Sequence, residues 1–153
     1  MKKAILVLAA VSSLFLTSAQ SLNENGLYVD NEGALFSGVV SQHQEGIRSE
    51  LQVKDGQIDG AAKYFYASGK LMETGSFVNG KKDQKWERYS ENGTVTAIAF
   101  YHLGKKAGTW MVYDETGKKR FEMTYQDGQK AGIWTSWDEQ GNVLQQKDYA
   151  SVN

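Results

Sequence analysis

The stretch Gly108-Thr109-Trp110-Met111-Val112-Tyr113, then Asp114-Glu115-Thr116-Gly117, Lys118 to Tyr125 and Gln126-Asp127-Gly128-Gln129-Lys130-Ala131 decides the fold. Trp, Tyr, Phe and Val favour strands, and both apolar runs are too short for helices. Asp114-Glu115-Thr116-Gly117 reads as a type I turn closed by a left-handed glycine. Asp127-Gly128 is a strong two-residue hairpin signal. Two strands of about 5–8 residues and two turns use up the unit, leaving no room for a helix.

Working outward, the unit recurs every 24 residues. Gly56, Gly80, Gly104 and Gly128 form one row, and Gly69, Gly93, Gly117 and Gly141 a second; these eight are read as structural turn glycines. A third row is Gly60, Gly108 and Gly132, with Gln84 where glycine is expected. Trp86, Trp110 and Trp134 keep the step, as do Phe65, Tyr89, Tyr113 and Trp137, and Phe77, Tyr101, Tyr125 and Tyr149. A shorter, earlier copy places Gly38, Gly46 and Val53 in equivalent positions. Thirteen of the 16 glycines and all four Trp lie on this lattice, so the chain is a repeat array. Without Pro, every interior strand can donate its ladder hydrogen bonds. The expected fold is all-β: an extended, single-layer antiparallel meander of nine or ten strands, built from about five hairpin units.

Facing follows from the period of two. Lys119, Phe121, Met123 and Tyr125 are expected on one face, with Arg120, Glu122 and Thr124 on the other. Trp110 and Tyr113 are three apart, so a regular strand separates them. Either a twist or bulge near the turn reunites them or both faces carry aromatics.

The pattern Gly-x-Trp-x-x-Tyr, a four-residue Gly turn, a strand ending in Tyr, then Asp/Asn-Gly-Lys-Lys-x-Gly resembles the MORN-repeat variant of many bacterial proteins, whose members are often labelled antitoxins. The resemblance spans residues 33–149. It implies a hairpin-repeat fold serving as an interaction surface. Gln84 in a glycine position and Ala62 in the first Trp position depart from the pattern.

Residues 1–19 stand outside the repeats. Met1-Lys2-Lys3, the apolar run Ala4 to Leu16 and Thr17-Ser18-Ala19 have the layout of a secretory signal peptide. The run is shorter than the about 20 residues a bilayer span needs. Residues 20–32 read as a lead-in, 33–149 as the repeats and 150–153 as a tail. Export to the periplasm, cell surface or medium is expected, with no stable membrane insertion after cleavage. That leader is at odds with an antitoxin acting in the cytoplasm.

Composition narrows the chemistry. Without Cys there is no disulfide, thiol nucleophile or lipidated thiol. His43 and His102 are the two His, and neither lies near a nucleophile motif. A net charge of −1, or −3 once Lys2 and Lys3 leave with the leader, gives no field for nucleic acid. The Gly-Lys-Lys loops lack the strand–loop–helix setting of a phosphate loop. No cofactor, metal or catalytic residue is expected, and the chain reads as non-enzymatic.

The candidate binding residues are the aromatics Trp86, Tyr89, Trp110, Tyr113, Trp134 and Trp137. Equivalent strands lie two spacings apart, about 10 Å, beyond direct ring contact. Tyr101 and Tyr125 can fill the gap as a self-packed ladder, in which truncating Trp110 would cost about 3–5 kcal/mol. A ligand can also fill it: a protein partner's side chains or the sugar rings of a surface glycan. Lys81-Lys82, Lys105-Lys106 and Lys130 line one row of turns, and Glu91, Asp114-Glu115 and Asp138-Glu139 the other.

Overall fold

A computed structural model of the chain describes residues 20–149; the leader and the C-terminal tail read from the sequence lie outside the described residues. Two short strands, β1 (Ser21–Leu22) and β2 (Tyr28–Val29), precede the main array. The array comprises β3 (Gly38–Gln44), β4 (Ile47–Lys54), β5 (Gln57–Phe65), β6 (Leu71–Val78), β7 (Lys81–Tyr89), β8 (Val95–His102), β9 (Lys105–Tyr113), β10 (Lys119–Gln126), β11 (Gln129–Trp137) and β12 (Val143–Tyr149). These ten strands form one antiparallel sheet in sequence order, the meander expected from the repeat.

The two turn rows form the two long edges of the sheet. On one edge, Asp55-Gly56, Asn79-Gly80, Leu103-Gly104 and Asp127-Gly128 all have positive φ at both positions, as type I′ hairpins require. These turns also bind neighbouring units. The N–H groups of Gly80, Gly104 and Gly128 donate to the carbonyls of Ile58, Lys82 and Lys106 at 2.7–2.8 Å. On the other edge, the Asp114 and Asp138 carboxylates accept the backbone N–H groups two and four residues on, closing their turns. The Thr116 hydroxyl, the N–H groups of Lys118 and Thr116 and the Arg120 guanidinium hold the Asp114 carboxyl down to about 2.

The third glycine row sits at bulges. Register shifts fall between Leu51 and Val53, Thr74 and Ser76, Ile98 and Phe100, and Glu122 and Thr124. Opposite them, Gly60, Gln84, Gly108 and Gly132 have φ of 109°, 59°, 61° and 58°. Gln84 thus occupies a left-handed conformation that a side chain makes costly. Gln84→Gly is expected to stabilise the fold by about 1 kcal/mol, measured by urea denaturation. An unchanged midpoint would mean that the Gln84 side chain offsets its own strain.

The core is thin and follows one face. Leu51, Ala62 and Trp86 form its centre, with Ile58, Tyr64, Phe77, Ala99 and Tyr101 against it. A second cluster joins Tyr28 to Val40 and Val53, flanked by Phe36 and Ile58. Residues 20–36, read from the sequence as little more than a lead-in up to residue 32, close this end of the sheet. Phe36 offers its carbonyl to Gly56 at 2.8 Å, the bond that Ile58, Lys82 and Lys106 make in later units.

Candidate functional site

The bulges position the tryptophans. Each one frees a backbone carbonyl on the preceding strand, and the indole N–H of the Trp ten residues on donates to it. The bonds run from Trp86 to Ser76 (3.1 Å), from Trp110 to Phe100 (2.9 Å) and from Trp134 to Thr124 (3.0 Å). With their polar atoms satisfied, the three rings lie along the sheet rather than standing off it.

Between them stand the tyrosines of the intervening strands. Ring centroids are 6.4 Å apart from Trp86 to Tyr101 and 5.1 Å from Tyr101 to Trp110. They are 5.0 Å from Trp110 to Tyr125, 5.1 Å from Tyr125 to Trp134 and 4.8 Å from Trp134 to Tyr149. All fall in the range for favourable aromatic pairs. Tyr64 and Phe77 extend the row from Trp86 at 6.3 and 5.1 Å. Burial pushes the Tyr64 and Tyr101 hydroxyls above the usual phenol range, with the Glu73 carboxylate adding to both.

Burial along this row is graded. Trp86 is 2% exposed, whereas Trp110 and Trp134 are half-buried. Leu51, Ala62, Tyr64 and Phe77 pack around Trp86, and Gly75 lets it come close to the backbone. A Cβ at Gly75 would lie 2.2 Å from the Trp86 ring, so that indole rests directly on backbone. The lattice places Ala99 and Met123, which carry side chains, at the positions equivalent to Gly75 in the next two units.

The six candidate aromatics divide between the two faces. Tyr89 donates to Glu87 and Tyr113 to the Met111 sulfur, two residues back along their strands and next to the tryptophans. Both tyrosines therefore point away from the indoles, and the alternative in which a bulge reunites Trp110 with Tyr113 is excluded. Trp137 lies with Lys119, whose ammonium is 5.5 Å from its ring. Lys119 also pairs with Glu122 at 2.7 Å. It has therefore left the Phe121, Met123 and Tyr125 face assigned to it from alternation, because the ladder shifts register between Lys119 and Phe121.

The turn lysines contribute a feature that the sequence reading missed. Lys82, Lys106 and Lys130 reach back over the indoles of Trp86, Trp110 and Trp134 at 3.6, 4.5 and 4.5 Å. Each also faces the next tyrosine: Tyr101 at 5.4 Å, Tyr125 at 4.8 Å and Tyr149 at 5.0 Å. The spacing of four between each Lys and its Trp was the available signal. Lys82 is neutralised by Glu73 at 2.9 Å. Among the described residues, no carboxylate pairs with Lys106 or Lys130. Beside Trp134 the face opens into a shallow groove of about 380 Å³, lined in part by Phe121, Met123, Ser136, Lys147 and Tyr149.

Other chemistry is sparse. His102 is exposed with Nδ1 3.6 Å from the Asp83 carboxylate, which also accepts the Leu103 N–H. Among the described residues, no group of three His, Asp or Glu is placed to hold a metal ion.

Residues 58–79 and 106–127 match the family model of the MORN repeat variant. The two stretches begin at equivalent lattice positions, two units apart, and each runs through a hairpin to its Asn79 or Asp127 turn. Repeats of this type are generally non-catalytic modules for contact with proteins or lipids. No curated protein matches the chain.

Proposed function

We propose that the protein is an exported, non-enzymatic repeat scaffold that docks a protein partner on the tryptophan face of its sheet. One observation carries the reading: half-buried indoles at Trp110 and Trp134 lie beneath the ammonium groups of Lys106 and Lys130, which have no carboxylate partner. The sheet is one layer thick, and a row of rigid, half-buried Trp and Tyr rings has the aromatic composition of an interaction hot spot. The signal-peptide layout of residues 1–19 supports action outside the cytoplasm. A partner that is a toxin met there is the form of the antitoxin reading compatible with such a leader. The groove beside Trp134 favours a second reading, a surface glycan stacked on Trp134 and Tyr149.

Affinity capture from the exported fraction tests the docking face. The double variant Lys106→Glu/Lys130→Glu is expected to lose the partner. Lys85→Glu, on the other face where Lys85 pairs with Glu87 at 2.7 Å, is expected to keep it. Loss with Lys85→Glu and retention with the double variant would move the interaction to the opposite face. Capture that a polysaccharide competitor abolishes would favour the glycan reading.

A further inference from the structure

We infer that the docked segment is an acidic polyproline II stretch, with a carboxylate at every third residue, laid across the strands over Lys106 and Lys130. The inference rests on the docking reading above and names its ligand chemistry.

Charge and spacing point to this conformation. Lys106 and Lys130 stand at equivalent places on strands two apart in the sheet, about 9.6 Å at ordinary strand spacing. Polyproline II repeats after three residues and advances about 9.3 Å in doing so, returning a side chain to the same side. An extended β segment covers a similar distance in three residues, but its third side chain points the opposite way. An α-helix returns to a face after seven residues and about 10.5 Å, a mismatch of about 1 Å per step. Polyproline II is therefore the regular conformation whose repeat matches both the length and the facing of the lysine row.

The aromatic row supplies the rest of the site. From Tyr101 on β8 to Tyr149 on β12 the rings follow one another at 4.8–5.1 Å, giving an unbroken aromatic strip. Four strand spacings measure about 19 Å, the length of about six residues of polyproline II. Proline-rich segments dock on aromatic surfaces of this kind because little conformational entropy remains to be lost. Neither ammonium has a carboxylate partner among the described residues. Each has aromatic rings beneath it, Lys130 also reaches the Tyr149 hydroxyl at 3.5 Å, and both can donate outward to a carboxylate. At the N-terminal end Glu73 already occupies Lys82, so an acidic ligand is excluded there and its position along the row is set. At the other end Lys147, 5.1 Å from the Tyr149 ring and lining the groove, offers a further cation.

The test uses a fluorescent synthetic peptide of six Glu-Pro-Pro repeats with the full-length protein. Its control peptides are six Glu-Gly-Ser repeats, with the same charge but no stiffness, and six Lys-Pro-Pro repeats. By fluorescence anisotropy the Glu-Pro-Pro peptide is expected to bind at least about tenfold more tightly than Glu-Gly-Ser, and Lys-Pro-Pro not at all. Lys106→Gln/Lys130→Gln should weaken that binding about tenfold, and Lys85→Gln should leave it unchanged. Equal affinity for the stiff and flexible acidic peptides would overturn the conformational match. Binding of Lys-Pro-Pro, or equal losses in the two variants, would overturn the charge assignment. If no peptide binds while the partner still depends on Lys106 and Lys130, the ligand class is wrong and the docking face stands. If that dependence is also missing, the docking face itself is wrong.

Discussion

Trp86→Ala is expected to destabilise the protein by about 3–5 kcal/mol, the range for truncating a large aromatic in a core. Trp86 is buried to 2% exposure and touches rings on both sides: Phe77 edge-on at 5.1 Å, Tyr64 at 6.3 Å and Tyr101 at 6.4 Å. Its N–H satisfies the Ser76 carbonyl, and Lys82 closes the outer side. Removing the indole leaves a void beside Ala62 and Leu51 that a one-layer sheet has few atoms to refill. Typical domain stabilities are about 5–15 kcal/mol, so this loss is a large fraction of the total. Trp110→Ala should cost less, about 2 kcal/mol, because a half-buried ring loses less contact on truncation. Urea denaturation of the two variants checks the order. Equal losses would mean that the grading of burial along the row carries no energetic weight.

The second large effect has a sign that distinguishes packing from propensity. In a strand interior, Gly→Ala ordinarily stabilises by about 0.5–1 kcal/mol. At Gly75 the new Cβ would stand 2.2 Å from the Trp86 ring, so the indole must shift off the backbone. Gly75→Ala is therefore expected to destabilise by about 1–3 kcal/mol. In a Trp86→Ala background the clash is gone, and the same change should be neutral or stabilising. Such a reversal is a coupling energy between residues in contact, which a double-mutant cycle isolates. Additive effects would place the indole elsewhere than on the Gly75 backbone.

The fold was legible because the lattice repeats a local signal. Asp127-Gly128 or Asp114-Glu115-Thr116-Gly117 each specify a turn through φ preference alone, and 24-residue repetition leaves an antiparallel meander. The aromatic row was legible in part: strand spacing alone requires a filler between the tryptophans, and Tyr101 and Tyr125 occupy those gaps. What escaped depends on bulges and on long side chains. A register shift at Arg120 sends Lys119 to the opposite face, and a period-two reading has no means of foreseeing it. The ammonium groups over the rings were not foreseen, because a flexible four-carbon stem is placed by its tertiary surroundings. Gly75 lies off the glycine lattice and has ordinary φ; its role is close approach to a ring, which becomes visible only once Trp86 is placed above it.

The central claim is that one aromatic face is sealed at Trp86 and open for docking at Trp110 and Trp134. Hydroxyl-radical footprinting with residue-level mass spectrometry, on the free protein and on the captured complex, tests it most directly. In the free protein Trp86 should be protected, with Trp110 and Trp134 oxidised. In the complex Trp110 and Trp134 should become protected, while Tyr113 and Trp137 on the opposite face keep their reactivity. Unchanged oxidation of Trp110 and Trp134 in the complex, with new protection at Tyr113 and Trp137, would contradict the account.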